Sequence, residues 1–495
     1  MSRGAAVGRS WAGPLWALLA GVVWALCFGA RSTVVAPWLA LAPLMLLLGS
    51  RRPVLACFLH GFAFWIAGLY WIPATIITFG KVPPALASLG LVLLAAFLSL
   101  LFWIPFGLLG RRLWQAGGWR LHLGLPALWV ALEWAREYLL SGFPWNLAAY
   151  AAVDVPGGLP LAALVGAYGV SFVVVGVNTA MAVALRERRP RHAGVVAAAA
   201  AAALIVGMLV TPRGWQADKG QLVKVLQPNI PNLETWDPDL VGRNYLSVLE
   251  QATAACEQDA LVILPESATW PYIYGQHPHL ANDLARLTDR GCRIFLNSIR
   301  EDDGAHFNSA LLVGREGVEA QYDKRHLVPF GEYVPMAGLL PFVDKLARMA
   351  GDFAAGSGVG LLPWAGEQLG TAICYEVVYP APVAAQVRAG ATVLVTVTND
   401  AWYGDTSAPW QHLRAAQFRA AETARPMLRA AITGVSAIIG PDGRVRSLLG
   451  VGERGVLEGR VTGIVGLTPH TRAPWLVPLA CALLALGACA RFRAP

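Results

Sequence analysis

Eight long apolar stretches constrain this chain more than any single residue does. Seven of them, 11–30, 32–50, 53–80, 82–110, 155–185, 193–212 and 473–490, hold no Asp, Glu, Lys or Arg. The eighth, 121–140, carries Glu133, Arg136 and Glu137 toward its end. A helix crossing the hydrocarbon core needs roughly 20 apolar residues, so each stretch is read as one span. Composition agrees, with 56% apolar and 14% charged residues over 495. That balance excludes a string of soluble domains. The first stretch follows Arg3 and Arg9 as a signal peptide would. Similar helices follow it without a small-residue cleavage site, so it reads as a retained anchor.

Arginine orients the frame. Arg51 and Arg52 lie between spans two and three, and Arg111, Arg112 and Arg120 between four and five. Arg186, Arg188, Arg189 and Arg191 lie between six and seven, and Arg491 and Arg493 follow span eight. The alternate loops offer only Arg31 and Lys81. Positive loops stay in the cytoplasm. Both termini are therefore expected inside, with 1–212 a membrane domain of seven spans, 213–472 an extracytoplasmic domain, and 473–495 the last span and a cytoplasmic tail. The net charge of +8 is largely this topological arginine, and it calls for no nucleic-acid partner.

From Gln221 the texture changes. QLVKVLQPN, DALVILPE, CRIFLNSI, HFNSALLVG and TVLVTVTND read as strands, while 238–258, 278–290 and 409–425 have apolar residues at helical spacing. Buried strands alternating with helices imply a layered α/β domain with helices on the outer faces. Nothing repeats at a fixed period, and there is no Gly-rich phosphate loop.

Seven cysteines show neither zinc-site nor CxxC spacing. Cys27, Cys57, Cys481 and Cys489 fall in spans. Cys256, Cys292 and Cys374 fall in the outer domain, and their odd number leaves at least one thiol unpaired. Cys374 is taken as that one. Cys256 and Cys292 could pair, but two separate core cysteines are the expected arrangement. His277 and His279 do not make a metal site, and no metal or cofactor is expected.

Glu266 closes LVILPE, Lys324 follows EAQYD, and Cys374 closes GTAIC. A strand-end acid is ordinarily solvated, a lysine in DKRH ordinarily surface charge, an apolar-flanked cysteine ordinarily core. Together they are the parts of acyl transfer through a thioester. A carboxylate takes the thiol proton, the thiolate attacks a carbonyl, and a cation steadies the oxyanion. Three strand ends of one sandwich can converge on one crevice.

LPES, DKRHLVPFGEYVP and GTAICYE resemble the Glu–Lys–Cys motifs of the nitrilase superfamily, whose fold is a four-layer αββα sandwich. With the eight-span frame, GFPW at 142–145 and NIPNLETWD at 229–237, the chain resembles the bacterial apolipoprotein N-acyltransferase family along essentially its whole length. That resemblance implies a fatty acyl donor among membrane phospholipids, usually phosphatidylethanolamine. The acceptor is the N-terminal amine of diacylglyceryl-cysteine on apolipoproteins, reached through a Cys374 thioester with ping-pong kinetics. It also implies the bacterial inner membrane, with the catalytic domain on the periplasmic side. Glu332 becomes a second site carboxylate that holds Lys324 or assists proton transfer. Tyr375 and Glu376 orient the nucleophile or substrate, and Trp236 belongs to a loop that helps hold the lipid. Arg136 and Trp145, near the outer edge of span five, are candidate substrate contacts, the arginine toward a phosphate. The loop 338–362 mixes apolar residues with glycines and reads as a lid.

Two other readings compete. A membrane-tethered carbon-nitrogen hydrolase (an amidase) would let water resolve the thioester, but would need only one anchor. A transporter or receptor would place charges inside its spans along a path, and most spans here have none.

Overall fold

The computed structural model describes residues 12–30, 33–80, 82–188, 190–210, 215, 219–231, 237–333 and 352–490. Among these, Pro84–Ala116 and Gly158–Glu187 are long and apolar enough to cross a membrane. Pro53–Gly68 with Ile72–Thr78, bent by 48°, would make a third span. Gly13–Leu26, Ala36–Leu47, Ala193–Leu209 and Leu476–Ala490 form shorter apolar helices. Several apolar stretches thus exceed the helices they form, because prolines and glycines set the helix limits; Pro53 and Pro84 stand in first turns, where the missing N–H costs nothing.

The stretch 121–140 folds as Leu125–Tyr138 and turns its charges inward, burying Glu133, Arg136 and Glu137. Glu133 Oε1 accepts from Trp129 Nε1 at 2.9 Å and from the Ala148 amide at 2.7 Å. Glu137 Oε2 accepts from the Tyr168 hydroxyl at 2.6 Å.

Gly158–Glu187 is interrupted at Gly166, with φ 68° and ψ 177°. Only glycine takes such a conformation readily, and the His470 ring occupies the space where a Cβ would stand. The break frees the Ala167 amide, which donates to Glu422 Oε1 at 2.7 Å.

Twelve strands among the described residues build two six-stranded sheets. They are β1 Gln221–Gln227, β2 Leu261–Ile263, β3 Arg293–Asp302, β4 Ala305–Gly314, β5 Gly317–Asp323, β6 Leu362–Trp364, β7 Glu367–Ile373, β8 Val393–Thr398, β9 Met427–Ala431, β10 Ser436–Ile439, β11 Val445–Leu449 and β12 Gly455–Val461. The first sheet runs β12-β1-β2-β3-β4-β5 and the second β11-β10-β9-β8-β7-β6. In each, three neighbouring strands run parallel, β1-β2-β3 and β7-β8-β9.

Side-chain alternation along strands sorts the core into layers. Val223, Val225, Leu261, Ile263 and Phe295 of the first sheet meet Ile373, Val393, Val395 and Leu428 of the second. Leu226, Val262, Ile294 and Leu296 point the other way, against helices Pro238–Ala255 and Pro278–Thr288. Leu394 points outward from the second sheet into a core shared with helix Ala408–Thr423 and with the membrane helices. The result is the expected αββα sandwich, with one helical layer fused to the membrane domain.

The five strands and three helices read above are all present, EAQYD and GTAIC fall in β5 and at the end of β7, and β6, β9, β10, β11 and β12 are additional. One expectation is overturned. Cys256 and Cys292 form a disulfide, not two separate core thiols. The C-terminal end of helix Pro238–Ala255 and the start of β3 bring their Cα atoms to 5.5 Å, within bridging range. Trp236, Arg31 and Lys81 lie outside the described residues, as does 334–351, which holds most of the expected lid.

Candidate active site

Glu266 lies three residues beyond β2, where Pro265 and the left-handed Ser267 (φ 60°) turn the chain. The Ser267 amide donates to Asn297 Oδ1 at 3.0 Å and fixes that turn. Glu266 Oε2 accepts from the Asn399 amide at 2.8 Å, beyond β8, and Oε1 accepts from Asn308 Nδ2 at 3.1 Å, on β4.

Lys324 is the first residue after β5 and is 1% exposed. Its backbone is pinned on both sides, with its amide donating to Asn308 O and its carbonyl accepting from Gly356 N, each at 2.8 Å. A buried ammonium needs close counter-charges. Nζ donates to Glu332 Oε1 at 2.9 Å and lies 3.8 Å from Glu266 Oε1. Burial works against the ammonium, but Glu332 and Glu266 outweigh it and raise the pKa of Lys324, so it is a fixed cation. Asn308 Nδ2 also donates to Glu332 Oε1 at 2.8 Å. One amide group therefore spaces the two carboxylates that flank the lysine.

Cys374 follows β7 and opens the single 3₁₀ turn Cys374–Val378. Its φ is 52°, a left-handed setting that costs a non-glycine residue about 1–3 kcal/mol. Two contacts hold the turn. Glu376 Oε2 accepts from the Ile373 amide at 2.8 Å, and the Cys374 carbonyl accepts from His412 Nε2 at 3.0 Å. Sγ lies 3.4 Å from Thr398 Oγ1. Burial, helped by Glu266, pushes the thiol pKa up, while Lys324 pulls it down. The balance leaves a protonated thiol at rest, and only the thiolate form of such a group is nucleophilic.

Glu376 turns away from the sulfur. Its Oε1 accepts from the Tyr322 hydroxyl at 2.8 Å and from the Arg325 and His326 amides at 2.8 and 3.1 Å. One buried carboxylate thus ties the lysine loop of one sheet to the cysteine turn of the other, and burial raises its pKa. Tyr375 faces the membrane domain. Its hydroxyl donates to the Gly142 carbonyl at 3.3 Å, and its ring stacks on Trp145 at 6.4 Å between centroids. Trp145 is buried and donates to Gln411 Oε1 at 2.8 Å, so it joins the two domains. Arg136 also lies inside the bundle, 3% exposed, with its guanidinium 5.0 Å over the Trp65 ring. It lines an aromatic cavity with Trp24, Trp103, Trp129 and Asn146.

The structure therefore brings Glu266, Lys324, Glu332 and Cys374 together, with Glu376 and Tyr375 behind them. Sequence reasoning missed Asn308, Thr398, Asp400 and His412. A signal for Thr398 and Asp400 was present, because the apolar strand VLVTVT ends abruptly in the polar run Thr398–Asn399–Asp400. Asn308 and His412 had none.

Residues 20–180 match the apolipoprotein N-acyltransferase N-terminal domain, and residues 222–467 match the carbon-nitrogen hydrolase family. An apolipoprotein N-acyltransferase from Geobacter metallireducens is 35% identical over 469 residues, covering 90% of this chain and 89% of that protein. One from Pseudomonas syringae pv. tomato is 33% identical and covers 88% of each. One from Caulobacter vibrioides is 32% identical, covering 98% of this chain and 96% of its own. Among solved structures, an amidase from Nesterenkonia sp. is 21% identical with a TM-score of 0.36, over 53% of this chain and 95% of that one.

Proposed function

This chain belongs to the apolipoprotein N-acyltransferase family, and from that premise we propose that its N-acylation of lipoproteins runs through Cys374, Glu266 and Lys324. The observation that carries this reading is the buried Lys324 ammonium between Glu266 and Glu332, opposite a cysteine in a strained turn.

In the first half-reaction Glu266 takes the Cys374 proton and the thiolate attacks the ester carbonyl of a phospholipid. Lys324 stabilises the tetrahedral oxyanion, a contribution typically worth about 3–4 kcal/mol of barrier. Collapse expels the lysophospholipid alkoxide, which recovers the proton from Glu266, and an S-acyl enzyme remains. In the second half the amine of diacylglyceryl-cysteine attacks the thioester. Glu266 accepts the amine proton, the amide forms, and the sulfur leaves as thiolate to be reprotonated. The kinetics are ping-pong.

The buried, raised Lys324 serves as electrophile, since a permanent cation has no proton to give at neutral pH. Glu332 holds it there, Glu376 positions the cysteine turn, and Tyr375 and Trp145 register the site against the membrane domain. Phosphatidylethanolamine is the donor, Trp236 a lipid contact, and Arg136 a contact for a polar lipid oxygen in the aromatic cavity. The frame is eight spans in the bacterial inner membrane, with both termini cytoplasmic and the 213–472 domain periplasmic, as the arginine bias requires.

Incubating the purified protein with phosphatidylethanolamine and measuring its mass tests this directly. The expected product is one acyl adduct on Cys374 that a diacylglyceryl peptide discharges. An adduct on another residue, or none, sinks the mechanism.

A further inference from the structure

Behind the cysteine turn lies a fully buried polar network that the proposed mechanism does not use. Thr398 Oγ1 sits 3.4 Å from Cys374 Sγ and 2.7 Å from Asp400 Oδ1. A threonine hydroxyl has a single proton, so it donates to one of these partners at a time. Asp400 Oδ2 pairs with Arg429 Nη2 at 2.6 Å, and Arg429 Nε donates to the Val435 carbonyl at 2.9 Å. His412 lies 3.2 Å from both Asp400 Oδ1 and Arg429 Nη2 through Nδ1. Its Nε2 reaches the Cys374 carbonyl, which can only accept, so Nε2 carries the proton and Nδ1 accepts from Arg429. None of Thr398, Asp400, His412 and Arg429 is more than 1% exposed.

We propose that Thr398 is a catalytic hydrogen-bond donor whose hydroxyl swings from Asp400 to the Cys374 sulfur whenever that sulfur is negatively charged. The inference rests on Cys374 being the nucleophile. The thiolate appears twice, when Glu266 has removed the thiol proton and when the amine expels the sulfur from the thioester. At each moment Thr398 keeps its own proton and changes only its acceptor, while the thiol proton travels to and from Glu266. Hydrogen bonds to charged acceptors are roughly twice as strong as neutral ones.

Asp400 makes the swing reversible. It stays compensated by Arg429 after the hydroxyl leaves, and it reclaims the hydroxyl once the sulfur is neutral. Burial alone would raise the Asp400 carboxyl, but Arg429 overrides it and holds it ionised. The other groups facing Cys374 are Glu266, Lys324 and Tyr403, with Glu332 behind Lys324 and with Arg429 and His412 behind Asp400. Glu266 and Asp400 disfavour the thiolate and Lys324 favours it, so the Thr398 hydroxyl sides with Lys324.

The test is the rate of S-acyl adduct formation on Cys374 of the full-length protein, from phosphatidylethanolamine in mixed micelles, measured by mass spectrometry. Thr398→Val should slow it about tenfold, since one lost hydrogen bond to the thiolate is worth about that factor. Thr398→Ser, which keeps the hydroxyl, should stay within about twofold of wild type. A valine variant as fast as wild type, or a serine variant as slow as the valine one, overturns the role of Thr398 while leaving Cys374 as nucleophile. Wild type that forms no adduct on Cys374 removes the nucleophile, and the inference falls with it.

Discussion

The two halves of the sandwich share a layer plan but face different surroundings. The first sheet is covered by helices whose outward residues meet solvent. In Pro278–Thr288 only Leu280, Leu284, Leu287 and Thr288 are buried, and Arg286 pairs with Asp283 while its side chain stays 76% exposed. The second sheet is covered by Ala408–Thr423, of which 14 of 16 residues are buried, Arg414, Arg419 and Glu422 included. Arg414 spends its donors on the carbonyls of Cys27, Gly29 and Tyr150 in the membrane domain. Arg419 pairs with Glu422 at 2.7 Å. The site straddles this difference. Cys374, Thr398 and His412 belong to the membrane-backed half, and Glu266, Lys324, Glu332 and Asn308 to the solvent-facing half. The proposed nucleophile is mounted on the bundle, and the groups proposed to activate it are brought to it across the sheet interface.

Four substitutions probe that division, in falling order of expected effect. Cys374→Ser removes the reactive sulfur from the membrane-backed half and should lower acyl transfer on the order of 10⁴-fold or more, with the fold intact. Near-normal transfer in a purified assay would take the chemistry away from that half. Arg419→Met leaves Glu422 buried without its partner and should cost about 3–5 kcal/mol of stability, read from denaturation in detergent. A neutral result would mean that the buried charges do not seat the sandwich. Lys324→Ala, on the solvent-facing half, should slow formation of the S-acyl adduct about 10²–10³-fold. If the adduct forms at the wild-type rate and only the amine step suffers, the oxyanion is stabilised elsewhere. Arg286→Ala, on the outer helix, should change stability by less than about 0.5 kcal/mol; a larger loss would erase the contrast between the two helical layers.

The sequence made the solvent-facing half easier to read. Its strands are apolar runs, its helices are amphipathic, and Glu266 and Lys324 stand at strand ends in recognisable surroundings. The membrane-backed half hid more. Strand β9 reads Met-Leu-Arg-Ala-Ala, and a charge in its middle argues against a buried strand. Arg429 is tolerated there because Asp400, distant in sequence, neutralises it, and no local pattern shows such a pairing. The same limit explains the disulfide, since Cys256 and Cys292 meet only once the helix ending beside Cys256 packs on its sheet. Trp145 and Arg136 were read as outer-edge residues from their place along a span. The helix that carries Arg136 turns its charges into the bundle instead. Apolar runs also overstate helix length wherever glycine or proline divides them.

The interruption at Gly166 bears on how the molecule is made. The helix Gly158–Glu187 is translated long before residue 422, yet the Ala167 amide at its break donates to the Glu422 carboxylate. Until the sandwich has folded, that donor stands in an apolar bundle without the carboxylate that completes it. The membrane domain thus carries a donor that is completed only when Glu422, with Arg419 and His470 beside it, packs against the break. A segment made later in the chain thus completes a helix made earlier in it.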